Sequence, residues 1–132
     1  MAMNRKRADK VVVLVTCGMA SEARRIADRL VKRRLAACVN VFPGRVRSTY
    51  RWKGKVEIAS EYFLLIKSTR ELFPALRAEV ERLHSYAVPE VIALPIEEGA
   101  PAYLRWLADA VRGGGKKQRS RAPRRRAGKK NG

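Results

Sequence analysis

The chain has 132 residues, 30 Lys and Arg against 12 Asp and Glu, a formal net charge of +18, and a 46% hydrophobic share. That length suits one domain of ordinary size, and the apolar share is too high for a wholly disordered basic chain. The longest apolar runs, such as Val11 to Val15, fall far short of the ~20 residues of a membrane span, and no stretch of secretory-signal length follows the basic start, so the expectation is a cytoplasmic protein that does not span a membrane.

Residues 1–10 carry four basic side chains and one acid and form a basic N-terminal segment. Val11 to Val15 then reads as a strand buried on both faces. Thr16 to Ser21 is a short loop, with Ser21 as helix cap and Glu22 at the positive end of the helix. Ala23, Ile26, Ala27, Leu30, Val31 and Leu35 follow a 3.6-residue period, with Arg and Lys on the opposite face. Ala37 to Phe42 is strand-like, and Pro43-Gly44 marks a bend. Val46, Ser48, Tyr50 and Trp52 then alternate with Arg45, Arg47, Arg51 and Lys53. Lys53-Gly54 is a tight turn, and Lys55 to Lys67 returns as a strand, so the hairpin has arms of roughly ten residues against the usual ~5–6.

Ser68-Thr-Arg-Glu71 fits a capping box for a second helix, whose apolar stripe is Leu72, Phe73, Leu76, Val80 and Leu83. His84 to Pro89 leads to a third apolar strand segment, Glu90 to Ile96. Pro101 opens a last helix with Tyr103, Leu104, Trp106, Leu107, Ala110 and Val111 as its apolar contacts. Residues 113–132 carry nine basic side chains and no acid, with no apolar residue larger than alanine. They read as a disordered basic tail behind a Gly hinge, able to attract nucleic acid without sequence preference. The folded domain is therefore expected over residues 11–112.

The order βαββαβ followed by α predicts an α+β, ferredoxin-like sandwich with an extended β-hairpin and a C-terminal helix. Right-handed crossovers put both main helices on one face of the sheet. The central strands are apolar on both faces, so the second face needs a cover. A homo-oligomer packed sheet to sheet, with the Tyr50/Trp52 hairpin reaching over a neighbour, meets that need.

Four segments carry a family resemblance: Leu35-Ala-Ala-Cys-Val-Asn40, Ser48-Thr-Tyr-Arg-Trp-Lys-Gly-Lys55, His84-Ser-Tyr-Ala-Val-Pro-Glu90 and Tyr103-Leu-Arg-Trp106. In unbroken order over about residues 11–110, they resemble the successive motifs of the CutA family of divalent-cation tolerance proteins. The resemblance implies a stable homotrimer with an architecture similar to PII signalling proteins. It also implies a part in metal-ion tolerance, copper above all, with Cu(II) binding in some members and no established catalytic activity. Copper-binding members carry a histidine matching His84, a histidine one position earlier and a cysteine in the first strand. This chain has Leu83 and Val15 at the last two positions.

His84 is the single histidine. Neutral imidazole binds Cu(II) or Zn(II) well, and an equally good role is to satisfy the end of the second helix. Cys17, near a helix start, is a candidate soft ligand with a lowered pKa, and His84 with Cys17 is the candidate metal pair. Cys38 reads as a small packed hydrophobe. Cys17 and Cys38 are expected as free thiols. Glu61, Lys67 and Glu90 are candidates for a polar cleft between subunits. No glycine-rich phosphate loop or Ser/His/Asp set stands out, so the chain reads as a non-enzyme. Two other partner classes remain open: nucleic acid held by the basic tail, and a small molecule held in PII-like clefts.

Overall fold

The computed structural model describes residues 8–115. The basic N-terminal segment up to residue 7, and the tail from residue 116 onward, lie outside the described residues. The elements are β1 (Lys10–Cys17), α1 (Ala20–Lys32), β2 (Cys38–Val41), β3 (Val46–Trp52), β4 (Lys55–Thr69), α2 (Phe73–Leu83), β5 (Val91–Pro95) and α3 (Pro101–Ala110). The sheet runs β2-β4-β1-β5, with β3 continuing along β4, and every pairing is antiparallel. This is the expected ferredoxin-like α+β arrangement, with the second strand broken in two around Pro43-Gly44.

β1 explains why the helices lie where they do. Val11, Val13, Val15 and Cys17 are buried and alternate with half-buried neighbours. In register they face Ser68, Ile66, Leu64 and Tyr62 of β4. Ile26 and Leu30 of α1 and Leu76 and Val80 of α2 close over this face, each 0% exposed. Alternation sends Val12 and Leu14 the other way, in register with Leu94 and Ile92 of β5, and those two remain about half exposed. α3 adds Leu107 to the core, and Val111 just after it adds a second contact.

The hairpin turn has positive φ at both Lys53 (51°) and Gly54 (81°), as a two-residue turn between twisted strands requires. Beyond the helix layer the hairpin leaves Tyr50, Trp52, Val56 and Ile58 exposed.

Three local expectations are corrected. Ser21 does not cap α1: the helix begins at Ala20 behind Met19, and among the described residues no side chain caps it. Ser68 does not open a capping box either, because β4 runs on to Thr69. Its buried hydroxyl instead donates to the Leu35 carbonyl at 2.6 Å, while Thr69 Oγ1 accepts from the Leu72 N–H at 3.3 Å. The glycines after α3 are not a free hinge at their start. Gly114 sits so close to the Arg34 carbonyl that a Cβ there would lie 1.8 Å from its oxygen, and its N–H donates to Val111 O at 2.8 Å.

Candidate functional site

The end of β1 and the segment between α2 and β5 meet in one polar cluster. His84 follows the last turn of α2, its N–H donating to Val80 O at 2.9 Å. Its side chain is 0% exposed. Nε2 lies 2.8 Å from the Thr16 carbonyl, which only accepts, so Nε2 carries a proton. Nδ1 lies 3.1 Å from the Tyr86 N–H, which only donates, so Nδ1 accepts. These two contacts fix the orientation of the ring. Glu22, 1% exposed, stands 3.2 Å from the same Nδ1 and accepts from the Ser85 N–H at 3.2 Å. His84 thus ties the 84–90 segment to the end of β1.

Cys17 is not in a loop. It is the last residue of β1 and fully buried. Nor is its thiol acidified. Burial first, and then the Glu22 carboxylate, push it up to about 11, and it makes a long contact of 3.8 Å with Met19 O. The structure brings His84 against Thr16, one residue before Cys17, so the predicted pair shares a neighbourhood. In this geometry the two do not fit a metal: one imidazole nitrogen donates to a carbonyl, the other accepts an N–H, and the thiol is protonated. No group of three or more His, Cys, Asp or Glu is arranged to hold a metal among the described residues. Cys38 is half-buried, its Sγ 3.9 Å from the Tyr103 hydroxyl.

Tyr86 links this cluster to a cleft. Its ring lies 4.7 Å from that of His84, and its hydroxyl donates to Glu61 Oε2 at 2.7 Å. Burial, then the hydrogen bond to Glu61, push the phenol well above its ordinary range, so it stays a donor. Gly18 leaves room for it, since a Cβ there would stand 3.2 Å from the hydroxyl. The cleft of about 640 Å³ lies between the hairpin and the 86–90 segment, with Tyr50, Trp52, Glu61, Tyr86 and Glu90 among its walls. Glu61 and Glu90 thus line one cleft within the protomer. Lys67 does not join them: it lies near the other end of the β1–β4 ladder, opposite Val12, and bonds Asn40.

Glu22 escaped the sequence reading, which treated it as a helix-end charge. A signal was present: Glu22, Ile26 and Leu30 recur at four-residue spacing, so the acid lies on the buried stripe. Glu79 follows the same logic beside Leu76 and Val80 on α2. It is ringed by Arg82 at 2.7 Å, Arg33 at 3.0 Å and Arg29 at 3.5 Å, and the Arg82 hydrogen bond above all holds its carboxyl below the usual range.

Comparison with known proteins places this geometry. The family model described as CutA1 divalent ion tolerance protein matches residues 11–110. A divalent-cation tolerance protein CutA from Thermus thermophilus is 51% identical over 98 residues, covering 74% of this chain and 94% of its own. The human Protein CutA is 48% identical over 93 residues, 70% of this chain and 51% of the human one. The Thermus structure superposes with a TM-score of 0.72, at 51% identity over 74% of this chain and 94% of that chain. CutA1 from a psychrotrophic Shewanella superposes at 0.76, with 36% identity over 80% of this chain and 97% of that one. The unbroken match from β1 through α3, together with these identities, shows that this chain belongs to the CutA1 family of divalent ion tolerance proteins.

Proposed function

We propose that the chain serves divalent-cation tolerance, copper above all, as a non-enzymatic homotrimer in the cytoplasm. One observation carries the assembly: the sheet face away from the helices is apolar and uncovered. Ile92 and Leu94 stand about half exposed beside Val12 and Leu14, and Val56 and Ile58 of the hairpin are exposed further still. Contiguous exposed apolar surface of this kind marks an interaction face, and a second sheet of the same composition is its natural cover. The PII-like resemblance supports three as the number of copies. Light scattering on the full chain should report about three times its 14.9 kDa mass. Leu94→Glu should reduce that particle, and a parent chain of single mass would refute the assembly.

The remaining parts of the reading rest on side-chain chemistry. The sole histidine, the first resource of acid–base catalysis, is engaged in holding the 84–90 segment, which supports a non-enzyme. Cys17 and Cys38 are free thiols, which suits a reducing compartment. Copper binding is weak in this reading, because His84 and Cys17 are closed against it. Titration with Cu(II) should find no tight site on the pair, and His84→Ala and Cys17→Ser should leave the measured affinity in place. A tight site lost in both variants would restore them as ligands.

A second reading, nucleic-acid association through the basic tail, is favoured by nine basic and no acidic residues in 113–132. Retention on nucleic acid should fall steeply with salt and vanish in a chain ending at residue 115.

A further inference from the structure

We propose that the outer groove between α1 and α2 binds a short chain of linked phosphates through Arg25, Arg29, Arg33 and Arg82. Four-residue spacing sets Arg25, Arg29 and Arg33 in one row along α1 and its C-cap, about 12 Å from end to end at the helical rise per residue. Arg82 meets this row from the last turn of α2. Glu79 gathers the guanidinium heads. Its Oε1 lies 3.0 Å from Arg33 and 3.2 Å from Arg82 Nε. Its Oε2 lies 2.7 Å from Arg82 Nη2 and 3.5 Å from Arg29. Arg25 closes the row at the other end, its Nη2 donating to the Leu83 carbonyl at 3.5 Å.

The cluster holds more positive charge than its carboxylate can match. Among the described residues, Arg29, Arg33 and Arg82 share Glu79 and none of them pairs with a second acid. Each guanidinium has five N–H donors, of which Glu79 takes one or two, and each side chain is roughly half exposed. Like charges gathered on one carboxylate repel, and a multivalent anion laid across them relieves that repulsion. Guanidinium forks suit phosphate oxygens, and Glu79 holds three of them in place beforehand, which lowers the entropy lost on binding. A single phosphate cannot touch the whole row, whereas two or three joined in a chain can. Among the described residues none of these arginines stacks on an aromatic ring, so a nucleobase finds no platform here. The groove lies on the helix layer. The proposed assembly buries the opposite face of the sheet and the hairpin, so the groove faces solvent in every copy.

The test is calorimetric titration of the full chain with tripolyphosphate, inorganic phosphate, citrate and a nucleoside triphosphate. Salt is held at about 0.15 M, where charges farther apart than ~8 Å are largely screened. Tripolyphosphate should saturate a site, with phosphate and citrate at least tenfold weaker and the nucleotide within threefold. The basic tail is controlled by removing equal charge from each place. Arg29→Ala with Arg33→Ala should lower tripolyphosphate affinity at least tenfold, and Arg125→Ala with Arg126→Ala less than threefold, with circular dichroism and particle mass unchanged. If the first pair does not fold, Arg25→Ala decides, because Arg25 lies outside the Glu79 contacts, and it should weaken binding at least threefold. Equal losses from the two pairs, or no loss with Arg25→Ala, would assign the anion to the tail and overturn the proposal. Citrate as tight as tripolyphosphate, a nucleotide tenfold tighter, or no saturation by any probe overturns it as well.

Discussion

Glu79 and Glu61 are buried to the same degree, each 6% exposed, and kept in different company. Glu79 lies between α1 and α2 and collects Arg29, Arg33 and Arg82. Glu61 lies at the start of the sheet's central section and collects one phenol. The arginines that serve Glu79 come from the same helices that bury it, so the ion cluster is part of how those helices pack. Among the described residues of its own protomer Glu61 has no such escort. A buried carboxylate that brings its own counter-charges belongs to the fold. One held by a single phenol at the wall of a cleft is not part of such a helix-packing ion cluster. The Glu22–His84 pair is intermediate: closed, mutually close, and used to anchor a loop.

The contrast can be broken by substitution, and the largest effect falls on the loop anchor. His84→Ala removes a fully buried ring and leaves the Thr16 carbonyl and the Tyr86 N–H without partners. It should cost about 3 kcal/mol in urea unfolding and expose the 84–90 segment to proteolysis. A loss below about 0.5 kcal/mol would mean that the tie is not structural.

Glu79→Gln should cost about 1 kcal/mol, a modest figure because its arginines are roughly half exposed and solvent screens them. Its pH dependence has a definite sign. The folded carboxyl titrates below the ordinary value of 4.5, so its contribution is complete above that pH and is lost as pH falls through the lowered folded value. The gap between parent and Glu79→Gln should therefore be constant at neutral pH and close in acid. A gap that widened in acid would reverse the argument.

Glu61→Gln should change stability by no more than about 0.5 kcal/mol, since the amide still accepts from Tyr86 and the unpaired buried charge is gone. A loss as large as that of Glu79→Gln would erase the distinction between the two acids. The smallest effect is kinetic. With its thiol raised to about 11 and buried, Cys17 should stay unmodified by a water-soluble thiol reagent at pH 8 while half-buried Cys38 reacts. Equal labelling of both would show that the end of β1 opens readily.

Much of the architecture was legible residue by residue. The run Val11 to Val15, the stripe through Ile26 and Leu30, the Lys53-Gly54 turn and the alternation around Tyr50 and Trp52 each announce an element, and their order implies the sheet. The misreadings share a cause. Ser21 and Ser68 have the composition of helix caps, but each role depended on where a neighbouring element stopped. β4 continued through Ser68, and its hydroxyl found Leu35 instead. Cys17 looked like a loop thiol because the alternation of β1 does not show where the strand ends.

The sequence by itself determined the elements, their order and the family, because periodicity, turn residues and motif order are properties of neighbouring positions. The tertiary structure alone decided what His84, Cys17, Glu22 and Glu61 do. His84 meets Thr16 across 68 positions, Ser85 meets Glu22 across 63, and Tyr86 meets Glu61 across 25. Whether an imidazole is a ligand or a tie, and whether a carboxylate meets arginines or a phenol, depends on which distant atoms fill its hydrogen-bonding positions and exclude water. Only the closed chain brings those atoms together.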